Sequence, residues 1–388
     1  MDHTPLSLKL FLNDLKQLKP PNQSIKEIEK ISDQKFVGIS EKKVHEIHLL
    51  APVIDEICKY TECDLVIDIG SGLGYLSHML HQRYGYQVLG LEMSHKFVEQ
   101  AYNNQNKFYS RSKGHVIFSK LFIDVNSVND IHALIEHHFG LNRKVCFTGL
   151  HACADLSVTV LKLFSTMDNV RALAIMPCCY HRISTQEDHK NNIMTFPNFP
   201  CSNTLRKPFE EMECTRFLQI PFLRLACQDS LDVYMALTEV ETKRKLLGLM
   251  FRAILEDVAK NENCSPRRLK RKSPKSNDAE DAFEAYLNNL PGSHALIAEP
   301  STVTRAIDKP FLEKMRAKWS TVNTERCRGM VEALTAFQAV LQVVCENVVL
   351  LDRVEFVRER GFRCNVRRIT DRTISPRCWA LIADKKNL

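Results

Sequence analysis

Short apolar runs alternate with amphipathic segments along the first half of the chain. The apolar runs, typical of buried strands, predict β-strands at 64–69, 87–91, 115–119, 144–148 and 172–176. Between and before them, apolar positions recur with helical spacing and predict helices at 41–60, 75–84, 96–104, 129–138 and 156–165. Strands that alternate with helices of about ten residues form βαβ units, so this pattern predicts a parallel sheet.

The second half of the chain is less regular. Helical spacing predicts helices at 241–260, 280–290, 309–319 and 327–360. Two short apolar runs at 366–369 and 378–384, separated by Ser375-Pro376, predict a closing antiparallel hairpin. A polar tract at 261–281 combines a basic run from Pro266 with the acidic residues Asp278, Glu280 and Asp281, which is typical of a mobile linker.

These patterns predict an α/β protein with a Rossmann-like, doubly wound sheet whose sixth and seventh strands are the C-terminal hairpin. Four parts follow: a helical lead-in at 1–60, a sheet core at 61–182, a mostly helical insertion at 183–325 and a C-terminal helix with hairpin at 326–388. The hairpin makes the last strand antiparallel to its neighbours.

Composition narrows the class of protein. With 44% hydrophobic and 26% charged residues among 388, the chain predicts a folded protein. No apolar run approaches the roughly 18 residues of a membrane span, and the N-terminus lacks the order of a secretory signal. The 14 cysteines therefore indicate reduced thiols in an intracellular protein, cytoplasmic or nuclear, that binds no membrane. The net charge of +7 permits an anionic partner without demonstrating one.

The strongest local motif is the turn Gly70-Ser71-Gly72-Leu73-Gly74, where the first strand meets a helix. Glycines permit positive φ and close approach of a ligand, and Glu92, at the end of the next strand, is placed to accept hydrogen bonds from ribose hydroxyls. A dinucleotide motif would need glycine where Tyr75 stands, which disfavours NAD. The spacing favours S-adenosylmethionine over an ordinary glycine turn or another nucleotide.

Two further segments follow strands four and five, at the same predicted edge of the sheet. They carry an unusual density of groups for proton transfer, nucleophilic attack or metal binding: His151, Cys153, Asp155, Cys178, Cys179, Tyr180 and His181. We predict that His151 acts as base or positions the acceptor, that Asp155 orients it and that Tyr180 lines the acceptor pocket. The other predicted pocket residues are Cys153, Cys178, Cys179, His181, Lys43 and His45.

Three alternatives attach to these residues. Zinc binding has the right ligand types but lacks a Cys-x-x-Cys pair, so no metal is predicted. Cys178 could add covalently to a pyrimidine, but strand four lacks a second Pro-Cys, which favours a non-covalent role for the cysteines. His45 and Glu46 either pair on a helix face or lie over the cofactor.

The chain resembles the family of probable methyltransferase-like protein twenty-five, with its ribosomal RNA adenine dimethylase domain-containing relatives. The resemblance rests on six blocks from Lys42 to Arg377: Lys42–Glu46, Asp68–Ser77, Leu150–Ser157, Cys178–His181, Leu350–Arg353 and Ile374–Arg377. It implies a class I methyltransferase fold that binds S-adenosylmethionine. The cofactor residues it implies are Gly70, Ser71, Gly72, Gly74, Glu92 and, near the adenine, Asp124.

The resemblance also bears on the acceptor. Similar His-x-Cys and Cys-Cys blocks occur in some transfer RNA 2′-O-methyltransferases, which favours RNA. Adenine dimethylation is disfavoured because strand four ends in Gly-Leu-His-Ala-Cys and lacks the Asn-x-Pro-aromatic motif of amine methylation. Ala154 and Leu73 depart from the residues usual in relatives.

We therefore predict an S-adenosylmethionine-dependent methyltransferase whose acceptor is RNA. There are two alternatives: a protein methyltransferase that acts on a translation component, and a module that binds the cofactor but is catalytically idle. The oligomeric state stays open.

Overall fold

The structure is a computed structural model that describes residues 9–11, 13–14, 38–188, 193–212, 218–269, 282–299 and 303–386. Most of the predicted lead-in before residue 38 lies outside this range. The strands are β1 Leu65–Ile69, β2 Gln87–Glu92, β3 Val116–Lys120, β4 Val145–Cys153, β5 Val170–Cys178, β6 Gln186–Asp188, β7 Ile193–Thr195, β8 Cys264–Arg268, β9 His294–Ala298, β10 Thr304–Ala306, β11 Arg363–Arg368 and β12 Trp379–Asp384. The helices are α1 Glu41–Thr61, α2 Tyr75–Tyr84, α3 His95–Phe108, α4 Val128–Phe139, α5 Asp155–Thr166, α6 Asn203–Glu211, α7 Ile220–Ala226, α8 Leu231–Met235, α9 Glu239–Asn261, α10 Ala282–Asn289, α11 Lys309–Ser320 and α12 Thr324–Arg358.

Seven strands form the central sheet, in the order β11-β12-β5-β4-β1-β2-β3. The five strands from β1 to β5 are parallel, and β12 is antiparallel to both of its neighbours. Strand order reverses between β1 and β4, which creates the crevice where ligands bind in doubly wound sheets. This is the class I methyltransferase arrangement, and it confirms the predicted fold, including the antiparallel C-terminal hairpin.

Helices cover both faces of the sheet. The first three helices pack on one face, with Ile47, Leu50 and Ile54 of α1 fully buried. On the other face, α4, α5 and the C-terminal half of α12 bury a second core against the same strands. Because both faces are covered, the central strands are mostly apolar, which is why they form nearly continuous apolar runs in the sequence.

The two strands that carry the predicted acceptor residues are longer than predicted. Apolar runs predict strands at 144–148 and 172–176, but β4 and β5 continue to Cys153 and Cys178, which are paired in register. The pairing is irregular between Gly149 and Ala152, and a Cβ atom on Gly149 would lie 3.0 Å from the carbonyl oxygen of Ile69. The irregularity lets His151 stand out at the carboxyl edge of the sheet.

The insertion differs in extent from its prediction. Residues 234–339 form a separate compact unit, whereas 183–233 group with the sheet. The reason is a hydrophobic cluster in which Phe199 and Leu223 pack with Tyr180 and with Val349 of α12. The unit at 234–339 is built on helices, as predicted, but it also contains a three-stranded sheet in the order β10-β9-β8.

Part of the predicted mobile linker at 261–281 is ordered, so that prediction is wrong for its first residues. Asn261 ends α9, and β8 pairs antiparallel with β9, from Cys264 opposite Ala298 to Arg268 opposite His294. Cys264 is buried while Arg267 and Arg268 are exposed, so the charges lie along the outer residues of a strand. Residues 270–281 lie outside the described range.

The long helix α12 would qualify as a membrane span by length and composition alone, since its most apolar 18-residue window has a mean hydropathy of 1.7. Half of that window is buried inside the protein. Core helices of water-soluble proteins pass the same test, and Val349, Val354 and Val357 are each buried in the cores described above.

Deletion of residues 261–281 tests the role of β8. Because the deletion removes one strand of the three-stranded sheet, we expect it to lower the melting temperature of the 234–339 unit by roughly 4 °C or more, the shift that corresponds to about 1 kcal/mol. Differential scanning calorimetry measures the effect. The control is Arg267→Ser on the exposed side of β8, which should change stability by less than about 0.5 kcal/mol. An unchanged melting temperature after the deletion would support a simple linker instead.

Candidate active site

The glycine turn between β1 and α2 has the conformation that its sequence predicts. Gly70, Gly72 and Gly74 have φ values of 72°, 56° and 78°, which side chains disfavour. The amides of Gly70 and Ser71 donate to the carbonyl of Leu91, which holds the turn against the end of β2. A Cβ atom on Gly74 would clash with the Phe118 ring, whereas one on Gly72 would meet open space. Gly74 is thus required for packing, and Gly72 leaves room beside the turn.

Glu92 lies at the end of β2, directly against this turn. One carboxylate oxygen accepts from the amide of Gly72 at 3.1 Å, and the other accepts from the amide of Ser94 at 2.9 Å. Each oxygen keeps lone-pair capacity for a further donor such as a ribose hydroxyl. The structure therefore brings together the glycines and the acid that the motif links in sequence.

A cleft of about 350 Å³, including its open mouth, lies beside the turn. Its lining includes Asp68, at the end of β1, and Lys43 of α1. The Ser77 hydroxyl donates to Asp68 at 2.7 Å, and burial raises the pKa of Asp68 to about 6 although Lys43 opposes the shift. Asp68 was not predicted as a site residue, but its place just before the glycine turn is a signal the sequence contains.

His151 also lines the cleft, and its partner is Glu46. His151 Nε2 lies 3.2 Å from Glu46 Oε2, and the Ser375 hydroxyl donates to Glu46 Oε1 at 2.6 Å. The Glu46 carboxylate is 1% exposed and the His151 ring 35% exposed. Burial raises the pKa of Glu46, but the hydrogen bonds from His151 and Ser375, with the nearby charge of Lys42, outweigh it and hold the pKa below its ordinary value.

Asp155, predicted to orient His151, serves another purpose, so that prediction is wrong. Its carboxylate accepts from the amide and hydroxyl of Ser184, both at 2.8 Å, and from the side-chain amide of Asn198 at 2.7 Å. As the first residue of α5, Asp155 fixes the segment after β5 and leaves His151 to Glu46. The physical reason is the backbone turn at Ala154, where φ is 53°. His151 lies in β4 before this turn and Asp155 lies in α5 after it, so the two side chains have different partners.

Tyr180, predicted to line the acceptor pocket, is 1% exposed, so this prediction is also wrong. Its hydroxyl donates to Glu346 at 3.3 Å, and the Arg353 guanidinium lies 5.4 Å from the centre of its ring. Burial raises the pKa of Tyr180 well above its ordinary value. The ring joins α12 to the end of β5 in the apolar cluster of Phe199 and Leu223.

The remaining predicted residues lie around this edge. Lys43 lines the cleft, with its ammonium 5.8 Å from the centre of the Tyr75 ring. His45 is half-buried on α1, and its Nε2 has no hydrogen-bond partner among the described residues. Asp124 lies after β3, where one of its oxygens accepts from the Asn126 amide at 2.8 Å and the Ser127 hydroxyl at 3.2 Å.

The predicted cysteines converge. The sulfur atoms of Cys153, Cys178 and Cys179 all lie within 4.8 Å of one another, at the ends of β4 and β5. Cys178 is buried. Its hydrogen bonds with Cys153 and Cys179 raise its pKa, and burial raises the pKa further. Hydrogen bonds from Cys153 and Cys178 hold the pKa of Cys179 far below its ordinary value, with Arg182 and His181 adding to the effect. The three cysteines therefore stand together at the ends of two adjacent strands, and the non-covalent role of Cys178 stays a prediction.

These residues fit S-adenosylmethionine. The open space beside Gly72 is a cradle that any side chain there would fill, and Glu92 presents a carboxylate next to it. Asp68 and Lys43 offer charges of opposite sign in the same cleft, which suits the ammonium and carboxylate of an amino-acid moiety. The cofactor set therefore occupies the β1–β2 side of the crevice, and His151 borders it from β4.

Comparison with known proteins supports this description. Residues 42–186 match the family described as "Methyltransferase domain". The chain is 24% identical over 307 residues to the human protein named probable methyltransferase-like protein 25, which covers 76% of this chain and 45% of the relative. The mouse protein of the same name is 26% identical over 289 residues, covering 71% and 43%. The resemblance inferred from the motifs is thereby confirmed, and the chain spans less than half the length of these relatives.

Solved structures of methyltransferases also match parts of the chain. An RNA methyltransferase from Salinibacter ruber, in complex with S-adenosyl-L-homocysteine, is 14% identical with a TM-score of 0.24, covering 35% of this chain and 80% of its own. Magnesium protoporphyrin IX methyltransferase from Synechocystis PCC 6803, with bound S-adenosylmethionine, is 17% identical with a TM-score of 0.24, covering 36% and 64%. The order and direction of the strands define the fold, and residues 42–186 match the methyltransferase domain family.

Gly72→Val tests the cofactor cleft, because the side chain would fill the open space beside the turn. We expect S-adenosylmethionine binding to weaken by at least about 1.5 to 3 kcal/mol, and Glu92→Ala to have a similar effect by removing a charged acceptor. Isothermal titration calorimetry measures both. Gly85→Val is the matched control, since Gly85 has a φ of 79° and open space but lies outside the cleft. Folded variants that bind like wild type would place the cofactor elsewhere.

Glu46→Gln tests the buried carboxylate through the pH dependence of stability. The folded-state pKa of Glu46 is lowered, so its stabilising effect is present above the unfolded pKa of about 4.5 and is lost as pH falls through the folded value. We expect the variant to be less stable by about 1 to 3 kcal/mol at neutral pH. The difference should shrink on acidification, when wild-type Glu46 becomes protonated. Urea unfolding across this range measures it.

The control for Glu46→Gln is the same substitution at Glu56, an exposed partner of Arg367 on the same helix. Exposed ion pairs contribute about 0 to 1 kcal/mol, so this variant should remain near wild type throughout. A Glu46→Gln variant whose deficit does not depend on pH would argue against an ionised Glu46.

Proposed function

We propose that this chain transfers the methyl group of S-adenosylmethionine to a hydroxyl group of RNA. The observation that carries the proposal is the Glu46–His151 pair beside the cleft, where Nε2 and Oε2 are 3.2 Å apart. An oxygen acceptor must lose its proton as the methyl group arrives, and a histidine held by a buried carboxylate suits that task.

The tautomer of His151 follows from its hydrogen bond. Nε2 must carry a proton to donate to the Glu46 carboxylate, so the neutral ring keeps its lone pair on Nδ1. Nδ1 is then the atom that takes the proton from the acceptor. Glu46 stabilises the resulting imidazolium and keeps the ring in one orientation, while Ser375 holds the carboxylate from the opposite side.

The cofactor supplies an electrophilic methyl carbon on a positively charged sulfur. The chain's own residues bind and orient: Glu92 would hold the ribose, and the glycine turn gives the nucleoside close access to the backbone. Asp68 and Lys43 would hold the amino-acid end in the same cleft. The main catalytic effect of such a site is alignment of the acceptor with the methyl group, to which a base adds about 10²- to 10⁴-fold.

Three observations support RNA as the acceptor. The net charge is +7, which suits an anionic polymer. The end of β4 is Gly149-Leu-His-Ala-Cys, which offers a base for a hydroxyl and lacks the Asn-x-Pro-aromatic motif of amine methylation. His-x-Cys and Cys-Cys blocks of this kind occur in some transfer RNA 2′-O-methyltransferases.

We further propose an intracellular location, because every cysteine described in the structure is a free thiol.

Methyl transfer from labelled S-adenosylmethionine to a whole-cell extract tests the proposal. We expect label in the nuclease-sensitive fraction, recovered as 2′-O-methylated nucleoside after digestion. Label in the protease-sensitive fraction would favour a protein methyltransferase, and label in neither would favour an idle cofactor-binding module.

Variants assign the base. His151→Ala should lower the rate of transfer by about 10²- to 10⁴-fold, the usual contribution of general-base catalysis, with little change in cofactor affinity. Asp155→Asn is the matched control, because the Asp155 carboxylate accepts hydrogen bonds from Ser184 and Asn198 and not from His151. A control variant as slow as His151→Ala would restore Asp155 to the mechanism.

A further inference from the structure

A cluster of three thiols stands at the carboxyl ends of two neighbouring strands. Cys153 ends β4, Cys178 ends β5, and the two are register partners in adjacent parallel strands. Their sulfur atoms are 2.8 Å apart, and the sulfur of Cys179 completes a triangle in which no two sulfurs are more than 4.8 Å apart. Among the described residues, this is the one group of metal-ligand side chains with such close convergence.

The backbone explains how three sulfurs meet. Successive side chains of a strand point to opposite faces, so Cys178 and Cys179 would diverge if β5 continued. Instead, Cys179 has a φ of 53°, in the left-handed region that residues with side chains rarely adopt. Ala154, which follows Cys153, has the same φ, and its amide donates to the Cys178 carbonyl at 3.0 Å. Both strands therefore end in a turn that gathers the thiols on one side.

We propose that Cys153, Cys178 and Cys179 bind a soft divalent metal ion, of which zinc is the representative, through three thiolates and one exchangeable fourth ligand. Zinc–sulfur bonds of about 2.3 Å place tetrahedral sulfurs about 3.8 Å apart. This separation exceeds the 2.8 Å between Cys153 and Cys178 and is within the 4.8 Å limit that contains all three sulfurs. Each cysteine sulfur is placed by one side-chain torsion, so a change of rotamer would alter these separations.

The surroundings suit a thiolate site. Cys153 and Cys179 are half-buried, so an ion has access, while Cys178 is buried behind them. Arg182 places a positive charge near Cys179. His181, the second residue after Cys179, has a buried Nδ1 with no hydrogen-bond partner within the part of the chain that the structure describes. Three thiolates carry three negative charges, and a bound divalent cation would offset two of them.

The proposal does not depend on methyl transfer, and it reverses the prediction of no metal. That prediction rested on the absence of a Cys-x-x-Cys pair in the sequence. Two of the three ligands come from adjacent positions, 178 and 179, and the third comes from a different strand 25 residues earlier. Only the strand register brings them together.

Metal stoichiometry of the purified full chain tests the site. After removal of metal by a chelator under reducing conditions, we expect the protein to bind about one zinc ion per chain, as a three-thiolate site requires. Cobalt alone should give sulfur-to-metal charge-transfer absorption typical of several thiolates. Cys153→Ser, Cys178→Ser and Cys179→Ser should each lose most of the bound metal. Cys327→Ser, a half-buried free cysteine outside the cluster, is the control and should keep it.

A second measurement on the wild-type chain guards against variants that do not fold. Alkylation followed by peptide mass spectrometry should show that zinc protects Cys153, Cys178 and Cys179 and leaves Cys327 as reactive as before. The proposal is overturned if the wild-type chain binds no zinc, if zinc protects other cysteines instead, or if a disulfide between Cys153 and Cys178 persists under reducing conditions and excludes the metal. It is also overturned if the control variant loses metal equally.

Discussion

A single buried carboxylate connects the parts of the site. Glu46 on α1 pairs with His151 near the end of β4 and accepts a hydrogen bond from Ser375 in the segment before β12. These partners are 105 and 329 residues away in sequence. Burying an unpaired charge is costly, so the carboxylate is compatible with the fold only when its hydrogen-bond donors are in place. The fold must therefore bring α1, β4 and the C-terminal segment together, and the result is a histidine held in one orientation beside the cofactor cleft.

Helix α12 provides a second set of buried polar anchors, which explains one of the blocks that carry the family resemblance. Asp352 accepts from the amides of Cys201 and Ser202 at 2.8 Å and 2.9 Å, and Glu346 pairs with Arg377 at 3.0 Å. Arg377 also donates to the carbonyl of Ala226 at 3.0 Å. These contacts attach Cys201, Ser202 and Ala226 to α12 and to the segment before β12, so these residues group with the sheet and not with the 234–339 unit.

The chemistry of the domain divides along the carboxyl edge of the sheet. The ends of β1 and β2 supply the glycine turn, Asp68 and Glu92, a set suited to a nucleoside with an amino-acid tail. The ends of β4 and β5 supply His151 and three thiols, a set suited to proton transfer and to soft metals. The switch in strand order between β1 and β4 places these two sets side by side.

The sequence alone determined the features that depend on neighbours in the chain. The period of apolar residues located β1 to β5 and their helices, and the Gly70–Gly74 turn followed by Glu92 indicated a nucleoside site, because strand, turn and helix signals are local. Tertiary structure decided the partners. Asp155 lies closer to His151 in sequence than Glu46 does, yet Glu46 is the residue that pairs with His151, because α1 packs on the face of the sheet against β4 and β5. Strand register and helix packing, which no local pattern encodes, set the distances between side chains. They keep Tyr180 out of the cleft and bring Cys153 close to Cys178 and Cys179.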